Sequence, residues 1–117
     1  MYQILSELNK TTGVTGSMVV GHDGIVIAAD LATSLDSDAV GALSASITSN
    51  IQKSLERLET RPMKQVTIES EDAKLFFTYS GVGLLVVTTE RDVNVGLVRL
   101  EMKNALNKLQ AEQKSLA

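Results

Sequence analysis

The sequence predicts an α+β domain, a three-layer α/β/α sandwich. A five-stranded antiparallel sheet carries a long helix on one face and two helices on the other. Three observations point there. Segments with helical spacing alternate with short β-branched runs in the order helix, two strands, long helix, three strands, helix. One run, Leu84 to Val87, is apolar without alternation, as a strand covered on both faces must be. Finally, 44% of the 117 residues are apolar, enough for one real core, with no repeat or linker to divide the chain. Residues 1–117 are read as a single domain.

Each element has a local reason. Ile4, Leu5 and Leu8 predict a short helix over Tyr2 to Thr11, ended by Asn9-Lys10-Thr11-Thr12-Gly13. Gly16 to Gly21 and Ile25 to Asp30 read as two strands. Asp36 or Ser37 is the expected N-cap of the long helix, with Asp38 favourably set against the helix dipole. That helix is expected from Ser37 to Thr60, with Pro62 stopping it by pushing Arg61 into an extended conformation. Val40, Leu43, Ile47, Ile51, Leu55 and Leu58 mark its apolar side. Three strands follow as a meander: Lys64 to Ser70, Lys74 to Ser80 and Leu84 to Glu90, the first alternating and polar enough for an edge. A last helix runs from Asn94 to Gln113 with Leu97, Val98, Leu100, Met102, Leu106 and Leu109 inward and Asp92 helping to cap it. The terminal Lys114 to Ala117 is expected to fray.

Composition excludes several function classes. The net charge of −3 argues against a polyanion-binding face, and 3% aromatics leave almost no platform for stacked bases. Without cysteine there is no thiolate chemistry, disulfide or cysteine zinc site, and one histidine cannot make a two-histidine metal site. The opening residues carry Glu7 and do not read as a signal peptide, and no apolar stretch nears the length of a membrane span. A cytoplasmic protein with no nucleic-acid partner and no membrane insertion is the expectation.

Candidate chemistry fails at each motif. His22-Asp23 could be a dyad, but no third group is signalled to orient the proton. His22-Asp23-Gly24 reads better as a three-residue hairpin loop with Gly24 left-handed and His22 facing solvent. Thr78-Tyr79-Ser80-Gly81-Val82-Gly83 lacks the first glycine of a nucleophile elbow, and no helix follows it. Gly81 and Gly83 lack the Gly-Lys-Ser/Thr of a phosphate loop. Glu69, Glu71 and Asp72 read as a solvated hairpin tip. No catalytic residue, cofactor or metal is expected, and the protein is not read as an enzyme.

The long helix is more informative. Gly41, Ala42, Ala45 and Ser49, joined by Thr48, Gln52 and Glu56, form a small-residue stripe opposite the leucines, where a solvated helix would carry more Lys and Glu. Such a stripe lets a partner approach closely. The edge strand, with Lys64, Val66 and Ile68, offers apolar side chains without proline or bulge to block pairing. Together these features predict a homodimer joined edge to edge about a twofold axis, its paired helices forming a platform.

Leu8 to Asp30, Val40 to Leu58 and Leu84 to Leu109 together resemble the roadblock (dynein light chain) family: a glycine-valine step into two strands with an Asp-Gly turn, a small-residue-rich second helix, and a closing helix entered through Asn94 to Leu97. The resemblance implies a longin-like fold and a dimer through the third strand and second helix. It implies a non-catalytic platform for a small Ras-like GTPase or, alternatively, an adaptor subunit of a motor or signalling complex. Stand-alone prokaryotic members, which include a gliding-motility regulator that stimulates its GTPase, look most similar. No finger arginine is implied, so stimulation would act through the partner's switch regions. A small-molecule sensor is disfavoured by the lack of convergent polar groups.

Overall fold

The computed structural model describes residues 1–32, 34–81 and 83–116, without the side chains of Ser115 and Leu116. Thr33 of the expected linker, Val82 of the expected Gly81–Gly83 turn and Ala117 of the expected frayed end lie outside them. The elements are α1 (Tyr2–Leu8), β1 (Val14–Val20), β2 (Val26–Asp30), α2 (Ser37–Arg57), β3 (Gln65–Glu69), β4 (Ala73–Tyr79), β5 (Leu84–Glu90) and α3 (Val95–Leu116). Their order is the predicted one. All neighbouring strands run antiparallel in the order β2-β1-β5-β4-β3, so the apolar β5 is central and β3 is an edge.

Sheet alternation sorts the core into two layers. On one face Val19, Phe76, Leu85 and Val87 meet Leu5 and Leu8 of α1 and Val98, Met102, Ala105 and Leu109 of α3. On the other, Met18, Val20, Phe77, Leu84 and Val86 lie beneath α2, whose Val40, Ile51 and Leu55 pack on them with Met63. The expected sandwich, one long helix against two, is therefore present.

Several boundaries differ from expectation for local reasons. Asp36 caps α2 as expected, its carboxylate accepting the N–H groups of Asp38 and Ala39 at 3.0 and 3.3 Å. The helix nevertheless ends at Arg57, well short of Pro62. Glu59 turns left-handed at φ 56°, Thr60 N–H donates to Leu55 O and Glu59 N–H to Glu56 O. That pair of bonds is a Schellman termination, with glutamate in the place glycine ordinarily takes. At α3 the cap is Asn94, whose Oδ1 accepts Leu97 N–H at 3.0 Å, while Asp92 pairs with Arg91 instead. The helix also continues to Leu116 rather than stopping at Gln113. At the other end of the chain α1 stops at Leu8, with Asn9 as its C-cap, and does not reach Thr11.

The burial of α2 is rotated from the predicted side. Leu43 and Leu58 are 63% and 70% exposed, whereas Gly41, Ser44 and Thr48 are buried. The helix sits so close to the β1–β2 hairpin that a Cβ on Gly41 would lie 3.0 Å from Val26 Cγ2 and 3.2 Å from Gly24 O. Only small side chains fit there. The two buried hydroxyls are satisfied within the helix, Ser44 donating to Val40 O and Thr48 to Ser44 O. On α3 the same correction applies to Leu97 and Leu100, which are exposed beside the buried Val98, Met102, Ala105 and Leu109.

Candidate functional site

Strand β3 is bonded only to β4, so one margin of the sheet carries unpaired backbone groups. Ser70 N–H donates to Ala73 O at 2.9 Å at the end of the β3–β4 hairpin. Antiparallel strands alternate inward and outward bonding, so Val66 and Ile68 bond inward, and Gln65, Thr67 and Glu69 turn their N–H and C=O groups outward. The side chains of Val66 and Ile68 are half-buried on the α2 face near Leu75 and Phe77. Thr67 lies on the α3 face, where its hydroxyl accepts from Arg99 Nη2 at 3.4 Å.

The outer side of α2 is the second component. Ala39, Ala42, Leu43, Ser46, Ser49 and Asn50 are exposed, and no charged residue occurs between Ala39 and Gln52. A helix face so poor in long or charged side chains can be approached closely. Gln52 ties it to the sheet margin: its Oε1 accepts Met63 N–H at 2.8 Å, two residues before β3 begins.

Besides Val66 and Ile68, half-buried on β3, the predicted site residues fall into three groups. Ala42, Ser49, Glu56 and Lys64 are exposed and available to a partner. Gly41 and Thr48, expected on the docking side, point into the sheet because the small residues are what permit the close seat described above. Ala45 and Gln52 are half-buried and, with Thr48, Ser49, His22, Tyr79 and Leu84, line an open pocket of about 190 Å³. Leu43, whose spacing alone points to the core side, belongs to the outer face.

The hairpin question resolves as a turn. Gly24 has φ 85°, its N–H donates to Gly21 O, and Asp23 Oδ1 accepts Ile25 N–H at 3.0 Å. The carboxylate is thus engaged in shaping the loop. His22 is exposed and its ring faces Tyr79 at 5.6 Å. Among the described residues no three His, Asp or Glu side chains converge as metal ligands, and no helix is long and apolar enough to cross a membrane.

Comparison with known proteins identifies the family and the fold. Residues 1–89 match the model of the Roadblock/LC7 domain. The uncharacterized protein MJ0310 of Methanocaldococcus jannaschii is 41% identical over 109 residues, covering 93% of this chain and 96% of its own. Among solved structures, Myxococcus xanthus MglB superposes with a TM-score of 0.91 at 21% identity, covering 98% of this chain and 88% of that one. An MglB in a tetrameric arrangement gives 0.83 at 22% identity, covering 94% and 85%. With the family model spanning most of its length and a relative at this identity over nearly all of it, the chain belongs to the Roadblock/LC7 family.

Proposed function

We propose that this protein is a non-catalytic homodimeric platform that binds a small Ras-like GTPase. Two copies join through β3 and the adjoining flank of α2, and the paired helices present the docking surface. The observation that carries this reading is the conjunction of an unblocked apolar sheet margin with a charge-free outer helix face, held together by Gln52 and Met63. The likeness to MglB, a gliding protein in Thermus thermophilus, supports a regulatory role of this kind. Any stimulation of hydrolysis works by ordering the partner's switch segments, because the outer face of α2 between Ala39 and Gln52 holds no arginine to insert.

The test is binding of a purified Ras-like GTPase from the same host, loaded with a GTP analogue, to the wild type and to Ser49→Arg. The expected result is binding that the arginine abolishes while the fold, read by circular dichroism, is unchanged. Recovery from the host of scaffold proteins alone, with no GTPase binding, would make the protein an adaptor instead.

A further inference from the structure

On the α3 face beside the β3 margin lies a groove of about 410 Å³. Its walls carry Lys64, Arg99 and Lys103, its floor Met102 and Leu106, and no carboxylate is among its lining residues. In a chain of net charge −3 this is a local excess of positive charge with an apolar base. At the other end of the same strand stands Glu69, its side chain 70% exposed and, among the described residues, paired with Lys74 at 3.7 Å. A pair that long, with its carboxylate end in solvent, restrains Glu69 weakly.

We infer that the occupant of this groove is Glu69 of a second copy, and that it sets the register of the dimer proposed above, on which this inference rests. A twofold axis normal to the sheet pairs β3 with itself antiparallel, and one residue must then face its own copy. With Thr67 on the axis, Val66 faces Ile68 of the other copy and Gln65 faces Glu69. Outward-turned backbone groups of Gln65, Thr67 and Glu69 then all find partners, the largest number any register of this strand allows. Moving the axis to Val66 or Ile68 leaves part of the strand unmatched, and moving it to Glu69 sets two like charges against each other. The Thr67 register puts two Val66–Ile68 contacts on the α2 face. On the opposite face it sets each Glu69 beside Gln65 and Lys64, at the mouth of the other copy's groove, near Lys103. Opposed acidic and basic ends of one short strand thus select a single alignment of two copies.

Because the chain has no cysteine, single-cysteine variants read the register directly. Thr67→Cys is expected to form a disulfide-linked dimer on oxidation, since directly opposed bonded residues stand about 5.5 Å apart at Cα. Val66→Cys and Ile68→Cys should each stay uncrosslinked alone and crosslink when mixed. Lys103→Glu should weaken the dimer about tenfold at low salt, because a twofold interface feels each substitution twice. Adding Glu69→Lys to it should restore the affinity. A protein that sediments as a monomer at every concentration overturns the dimer itself. A stable dimer in which Val66→Cys or Ile68→Cys crosslinks alone overturns only the register, and a dimer indifferent to both charge substitutions overturns the role given to Glu69.

Discussion

Gln52 Oε1 and the backbone N–H of Met63 meet at 2.8 Å, and this one bond joins the middle of α2 to the segment that leads into the edge strand. Met63 is buried, so its N–H has little access to water if the glutamine is removed.

Gln52→Leu should therefore cost about 1–2 kcal/mol, the penalty of a buried donor left without an acceptor. Chemical denaturation measures it. The same variant should weaken the dimer, since β3 starts two residues beyond the lost anchor. Unchanged stability would mean that Met63 N–H finds another acceptor.

Two glycines on helices should respond oppositely to added side chains. At Gly41 a Cβ would press on Val26 Cγ2 and Gly24 O, so Gly41→Val should destabilise by about 1–3 kcal/mol through overpacking. At Gly96 the nearest atom to a Cβ is Asn94 Oδ1 at 3.5 Å. Gly96→Ala should then stabilise, by up to about 1 kcal/mol of helix propensity. Thermal melts of the pair decide the matter, and a stabilised Gly41→Val would refute the close seat of α2.

Glu59 holds a left-handed conformation at φ 56° to close α2. Glu59→Gly should raise stability by about 0.5–1 kcal/mol, the strain relieved less the extra entropy that glycine loses on folding. Glu59→Ala, which keeps the Cβ, should be nearly neutral. Equal denaturation midpoints for the glycine and alanine variants would count against the Schellman termination.

Glu7 Oε2 lies 3.1 Å from Lys108 Nζ, linking α1 to α3. Lys108 lowers the Glu7 pKa from its ordinary value of 4.5, chiefly by the hydrogen bond and then by its charge. A carboxylate with a depressed folded-state pKa stabilises the protein above its unfolded pKa and loses that contribution as the pH falls through the folded one. The stability difference between wild type and Lys108→Gln should be constant near neutrality and vanish on acidification below about pH 4.5. It should also shrink in salt, the pair being exposed. A difference that survives strong acid would have to come from packing of the lysine stem.

Much of this architecture is legible one segment at a time. Alternation and helical spacing are properties of consecutive residues, so the order of the elements, the burial of Leu84 to Val87 at the sheet's centre and the edge position of Lys64 to Ser70 can be read directly. The Gly21–Ile25 turn is equally readable, because a left-handed glycine and an aspartate that bonds its own loop act over a few residues. Which side of α2 faces inward is decided only by the assembled fold. Spacing counts large apolar side chains and so puts Leu43 and Leu58 inside, but the distance between helix and hairpin is set where Gly41 meets Gly24 and Val26, residues far apart in the chain. The Gln52–Met63 anchor and the basic groove beside β3 are likewise products of tertiary packing. Each depends on a separation in space that no local pattern encodes.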